Sequence, residues 1–406
     1  MRCHGPWAAT VLTALLLTSC GHTVPGFAVP AAQPPTTVDV SRLDPGSYPT
    51  APAPPLGDAA TDDAGRLAEG QRMAGYVVGP WQVDARFVDG GAGSAAIVTE
   101  PGKLGSMVWT TLAIAAGHER FLLAFSSDRR DSQGRTALRN TALLFASADA
   151  AATAAQAMGR NAMDADMSIT VGAQIPSEPI RAVPIPGHPD TTGVLLTHVD
   201  GGVTVPELTA ITAHGPVVVV QVARSAESVE QAAGFASRTL DLQIPLIDRF
   251  TPTDPAQLAN LSLDPTGLLA RTLPPMSVGA SLANATYDRN GALHLEDHPI
   301  EAGAALAEAG VDVVTVGQDT VYQAADAEKA QQLSEKLGEV IAGGGSAQAV
   351  QQVPGLPQSR CFGMTGGLIA RHWCVAAVDR FVIKAAAQQL VSAQQQVAAQ
   401  YRMLAG

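Results

Sequence analysis

The chain has 406 residues, a net charge of −12, a pI near 5.1 and no run of lysines or arginines, which argues against nucleic acid as a partner. Hydrophobic residues make up 46% and charged residues 15%, enough for a packed core, and the length fits two or three domains of roughly 150 residues each. After Cys20 no apolar stretch reaches the ~20 residues that a membrane-spanning helix needs.

Residues 1–19 read as a signal peptide: Arg2 supplies positive charge, and the apolar run from Trp7 to Leu17 falls within the usual ~7–15 residues. The run ends in Leu17-Thr18-Ser19-Cys20 instead of an A-x-A-like site. This resembles the lipobox of bacterial lipoproteins. The resemblance implies that Cys20 is the lipidated first residue of the mature chain, anchored to the outer face of the cytoplasmic membrane. At about 0.8 kcal/mol per buried CH₂, two or three acyl chains hold stably where one does not. The other reading is an ordinary signal peptide followed by a chance cysteine. Residues 20–63, with PAAQPPTT and YPTAPAPPLG, are Pro/Ala-rich and are expected to form an extended tether.

One pattern then recurs: β-rich runs followed by a capped, Ala/Gln-rich helix. Strands are predicted at 120–125 and 139–146, with a helix introduced by Ser147 and Asp149 and running to about Arg160. A second pair, Leu208 to Ala213 and Val217 to Ala223, turns at His214-Gly215-Pro216, and Ser225 is expected to cap the helix that follows. The Val217 to Val220 run reads as a strand buried on both faces. A third pair flanks Gly317-Gln318, with Asp326 starting a helix through Ile341. The last unit has strands at 360–364, 373–376 and 380–384 and a closing helix from about Ala386. The prolines of 251–275 mark a linker between an N-terminal domain, 64–250, and a C-terminal domain, 276–406. The predicted fold class is α+β: two domains of repeated strand–strand–helix units, antiparallel sheets with helices packed on one face.

Of four cysteines, Cys3 leaves with the signal and Cys20 takes lipid. Cys361 and Cys374 remain, and in an oxidising exported compartment they are expected to form a disulfide. Closing a loop of about 14 residues contributes about 3 kcal/mol in the chain-entropy account. Two cysteines alone would leave zinc short of ligands.

No segment carries a convergent catalytic set. His294, Glu296 and His298 would share one face of a strand and are the weak metal candidates, against the commoner reading of a solvated strand end before Pro299. Gly279-Ala280-Ser281-Leu282-Ala283 approaches the G-x-S-x-G elbow, but its last glycine is missing and no parallel strand precedes it. Asp128-Arg129-Arg130-Asp131, with Arg135 and Arg139, could hold an anionic head group; a self-neutralising hairpin loop is the plainer reading. His118, His188, His198, His214 and His372 offer bases without a nucleophile to serve.

With its lipobox, Pro-rich linker, repeated units, late cysteine pair and the segments Gly310-Val311-Asp312, Thr320-Val321-Tyr322 and Arg371-His372-Trp373-Cys374, the chain resembles actinobacterial cell-envelope lipoproteins of unknown function. The resemblance implies an exported, membrane-anchored protein and brings no activity with it. The expected function is non-enzymatic binding or scaffolding for a lipid, glycan or protein partner, with no cofactor. The alternative is an envelope hydrolase whose site is not recognisable in the sequence.

Overall fold

A computed structural model of the chain describes residues 38–90, 94–164, 175–275, 282–345, 347–364 and 370–406. The first domain holds β1 (Ala95–Val98), β2 (Phe121–Arg130), β3 (Thr136–Phe145), β4 (Arg181–Ala182), β5 (Thr192–Asp200), β6 (Val203–His214) and β7 (Val217–Ser225). They form one antiparallel sheet in the order β1-β2-β3-β7-β6-β5-β4. Val217 to Val220 are all buried, as a β-branched run covered on both faces should be. The β6–β7 hairpin closes at Gly215, whose φ of +53° lies where a side chain would be strained.

The second domain holds β8 (Ala285–Tyr287), β9 (Val313–Val316), β10 (Thr320–Gln323), β11 (Ala347–Val350), β12 (Arg360–Met364), β13 (Arg371–Val378) and β14 (Phe381–Ala387). Its antiparallel order is β8-β9-β10-β14-β13-β12-β11. This repeats the first sheet strand for strand. Cys361 and Cys374 face each other in register on β12 and β13 and are joined by a disulfide.

The described helices are α1 (Asp62–Met73), α2 (Pro80–Val83), α3 (Thr110–Gly117), α4 (Ala148–Ala162), α5 (Val229–Ile247), α6 (Arg289–Leu293), α7 (Pro299–Glu308), α8 (Ala327–Gly343) and α9 (Leu390–Ala405). They repeat as well. Helix α4 follows β3 as α8 follows β10, α5 follows β7 as α9 follows β14, and helices fill both the β1–β2 and the β8–β9 connections. Ser147 and Asp326 cap α4 and α8 as expected, accepting from the N–H groups of Ala150 and Lys329. The cap of α5 is Ser228, not Ser225, whose hydroxyl instead receives the N–H groups of Glu227 and Ser228.

The protein is α+β with two domains, and its helices cover both faces of each sheet instead of one. On the first sheet α3 and α4 pack over Val218 and Val220 through Leu112 and Met158, while α5 packs over Leu138 and Leu208 through Phe235 and Leu240. On the second sheet α8 packs over Val375 and Val382, and α9 runs along β13 and β14 outside that cluster. The remainder of the first sheet's second face, with Leu123, Phe125, Leu144 and Val219, joins α1, α7, α8 and Tyr322 in one continuous core. The two domains therefore share their main apolar cluster.

Two proline-rich segments that the sequence suggested as spacers are packed instead. From Asp39 the expected tether lies on the body: Leu43 is buried, Tyr48 Oη accepts from Gln396, Ala53 donates to the Ala270 carbonyl, and Asp58 bridges Ser262. The 251–275 linker is a strap. Leu258, Leu268, Leu269 and Leu273 are buried, Thr253 N–H donates to Glu69, and Leu273 N–H donates to Gln400 of α9. Prolines remove donors without preventing the intervening leucines from being buried.

Candidate functional site

The strongest polar site lies on the first sheet, where the face covered by α3 and α4 runs out from under the helices. Side chains on a strand alternate faces, and directly paired residues of neighbouring strands share one. Arg130 of β2 pairs with Ala137 of β3, Ala137 with Arg224 of β7, and Arg224 with Glu207 of β6. The next row is Asp128, Arg139 and Val222. Three arginines from three adjacent strands therefore project from one face, with the short Ala137 side chain between two of them. Arg130 and Arg224 are two strand spacings, about 10 Å, apart along the sheet. The segment entering α3 forms the other wall with Val108, Trp109 and Thr110, and together they enclose a groove of about 630 Å³.

Its charges are partly paired. Arg139 donates through Nε and Nη2 to Asp128 at 2.9 and 2.6 Å and through Nη1 to the Met107 carbonyl. Glu207, 2% exposed, receives Arg224 Nε and Trp109 Nε1, both at 2.5 Å. Arg130 Nε meets the Asp89 carboxylate at 3.2 Å. No hydrogen bond among the described residues engages the terminal nitrogens of Arg130 or Arg224. Planar guanidinium forks left open in this way are suited to bidentate recognition of a phosphate, sulfate or carboxylate.

Of the arginine cluster read from the sequence, Arg130 and Arg139 thus meet in the groove, on strands and not in a loop. Arg129 turns to the opposite face. Asp131 is spent on its own turn, accepting from Gln133, Arg135 and Thr136. Arg224, Glu207 and Trp109 were missed because they come from distant strands and a connection. The signal available was a single charge, Arg224, near the end of an otherwise uncharged and mostly apolar β7.

The metal candidates do something else. His294 to His298 is a turn between α6 and α7, with Pro299 as the first residue of α7, so strand alternation does not apply. His294 is buried; its Nε2–H donates to the Val77 carbonyl at 3.0 Å and its Nδ1 accepts from Ser127 Oγ at 2.9 Å. Burial is the main reason its pKa falls to about 4, with Arg129 adding to the effect, so the ring is neutral. Arg129 donates to the carbonyls of His294 and Glu296 and lies over Trp81. Glu296 accepts from Tyr322 Oη and Lys384 Nζ, both at 2.5 Å. Both nitrogens of His294 and both oxygens of Glu296 are occupied, and no group of three or more metal-ligating side chains occurs among the described residues. The cluster is a clasp between the domains.

Ser127 and His294 form a hydroxyl–imidazole pair, but both are buried and neither lines a described cavity. His188 and His214 meet Asp241 and Asp248 at the surface, and His372 meets the Gln388 carbonyl. Ser281 lies outside the described residues.

Residues 56–263 match the N-terminal domain of unknown function DUF7373, and residues 268–406 match its C-terminal counterpart. The chain belongs to the DUF7373 family. The family boundary at 263–268 falls within the packed strap. The DUF7373 chain is also similar to a solved structure, the extracellular domain of PknH from Mycobacterium tuberculosis, at 16% identity and a TM-score of 0.28, covering 43% of this chain and 95% of that one. A likeness of that strength carries no functional argument. No curated protein matches the chain. The resemblance read from the sequence holds as membership of a two-domain family of unknown function.

Proposed function

We propose that this DUF7373 chain is an exported lipoprotein, held at the outer face of the cytoplasmic membrane by a lipid on Cys20, that binds an anionic ligand in the arginine groove and catalyses no reaction. The observation that carries the binding role is the convergence of Arg130, Arg139 and Arg224 on one open sheet face, with terminal nitrogens of two of them free of partners among the described residues. The leader and its Leu17-Thr18-Ser19-Cys20 ending support the anchor. No helix among the described residues is long and apolar enough to cross a membrane, so a lipid is the means of attachment that the sequence offers.

The test is mass spectrometry on the protein purified from its own envelope, run intact and after solvent extraction. The expected result is an acylated Cys20 and a stoichiometric phosphate-, sulfate- or carboxylate-bearing compound that is lost from an Arg130→Gln variant. Arg130 is exposed, so the substitution leaves the fold intact. An unmodified Cys20 would overturn the anchor. A protein that carries no anion, and binds none on titration with inorganic phosphate or sulfate, would overturn the groove assignment.

A further inference from the structure

The duplicated topology places a second cavity where the arginine groove would recur. The groove is built from β2, β3, β7 and β6 and roofed by the β1–β2 connection. In the second domain the equivalents are β9, β10, β14 and β13 and the β8–β9 connection. These are the elements around a cavity of about 210 Å³, with Val316 and Thr320 on one wall, Trp373 and Lys384 on another, and Leu295 and Glu296 as its roof. It lies on the equivalent face, since Lys384 pairs with Thr320 and with Val375, which points into the core beneath α8. A neighbouring cavity of about 380 Å³ shares Glu296, Asp297, Arg371, Trp373 and Lys384 as walls and continues under α8 along Leu337, Val340 and Ile341. The same place in the fold is thus left open twice, with unrelated residues.

The chemistry differs from that of the groove. The groove's lining has three arginines to two carboxylates, whereas here Lys384 and Arg371 face Glu296 and Asp297, at 2.5 and 3.7 Å, and Asp89 lines the larger cavity as well. An anionic ligand would have to displace these carboxylates. Trp373 is half-buried, lines both cavities and lies under Arg371, whose guanidinium is 5.0 Å from its ring centroid. Asp319, buried in the wall of the smaller cavity, has no hydrogen-bond or ion-pair partner for either carboxyl oxygen among the described residues, and burial raises its carboxyl well above the usual range. A wall with more carboxylates than cations and an indole suit hydroxyl groups and the C–H face of a sugar ring, and the side chains of Leu337, Val340 and Ile341 suit an aliphatic chain.

We infer that a second ligand site, built mainly from the second domain with Asp89 and Gly90 at its edge, lies between Trp373 and α8, and that it takes an amphiphile with an uncharged, hydroxyl-rich head: an alkyl glycoside or glycolipid. This does not depend on what the arginine groove binds.

Octyl glucoside, kept below its micelle concentration, is titrated into detergent-free full-length protein and followed by calorimetry, with glucose and octanoate as separate arms. The expected result is saturable binding of octyl glucoside at least tenfold tighter than that of glucose or octanoate. Trp373→Ala and Val340→Asp should each weaken it tenfold or more, while Arg224→Gln, remote from both cavities, leaves it unchanged. Val340 is half-buried and so tolerates a charge without unfolding the core, which keeps the test valid if Trp373→Ala is unstable. Binding unaffected by both cavity variants would mark an adventitious detergent contact and overturn the inference. So would octanoate binding as tightly as octyl glucoside, or no saturable binding at all.

Discussion

Glu296 is 7% exposed, and its two oxygens hold Tyr322 and Lys384. Lys384→Met removes the cation and leaves a largely buried carboxylate with one phenolic donor. Breaking a buried pair from one side costs about 3–5 kcal/mol, whereas replacing both partners with neutral groups is often close to neutral. Urea unfolding should therefore show Lys384→Met destabilised by roughly that amount, and Glu296→Gln/Lys384→Met closer to wild type than the single variant. A double variant as unstable as the single one would show that the pair does not act as a unit. His294 gives a second prediction at this scale. Its pKa is about 4 in the fold against an ordinary 6.5, so the unfolded chain takes up a proton over that interval and the folded chain does not. The stability this group contributes is complete above pH 6.5 and drains away as pH falls toward 4, by roughly 3 kcal/mol. A His294→Gln variant, less stable at pH 7, should show a flatter acid limb than wild type between pH 6.5 and 4. Parallel limbs would place the acid sensitivity elsewhere.

Elements were legible where their signals are local. The strand pairs and the caps Ser147 and Asp326 depend on alternation and on a side chain reaching its own helix, both carried by a few consecutive residues. Helix α3 (TTLAIAAG) is apolar all round and buried, so it shows no helical stripe, and β8 has only three residues. The turn at His294 has titratable residues at 294, 296 and 298, the spacing of one strand face, and only Pro299 hinted at the helix that follows. The groove was half legible: Arg130 and Arg139 are close in sequence, whereas Arg224 and Trp109 join them through pairing that no local pattern reveals. The disulfide belongs to this scale because it ties β12 to β13. Both sulfurs belong to buried residues, so a reductant should act slowly on the folded protein and readily under partial denaturation. Cys361→Ala/Cys374→Ala should lose about 3 kcal/mol, read as a lower urea midpoint, because closing a loop of this length restricts the unfolded chain. An unchanged midpoint would mean that the β12–β13 pairing alone holds this region.

At the scale of the molecule, two copies of one topology are joined so that each completes the other's core. Phe125 and Leu123 on the first sheet and Tyr322, Leu306 and Leu333 in the second domain belong to a single apolar cluster. Arg129 and His294 reach across it in opposite directions, each to partners in the other domain. Residues 39–406 accordingly form one compact unit. A domain expressed alone would expose one side of that cluster and strand Arg129 or His294 without its partners, and a buried polar group without partners is costly. The family boundary offers the place to cut. Fragments 39–263 and 268–406 should each be poorly soluble or bind a hydrophobic dye when made separately. When co-expressed they should purify as a one-to-one complex that unfolds in a single transition. Two soluble fragments that unfold cooperatively and do not associate would show that the shared cluster is an accessory contact. The first outcome would mean that the arginine groove and the cavity beside Trp373 are held in fixed relation by a common core, so that ligands at the two sites are presented together on one body.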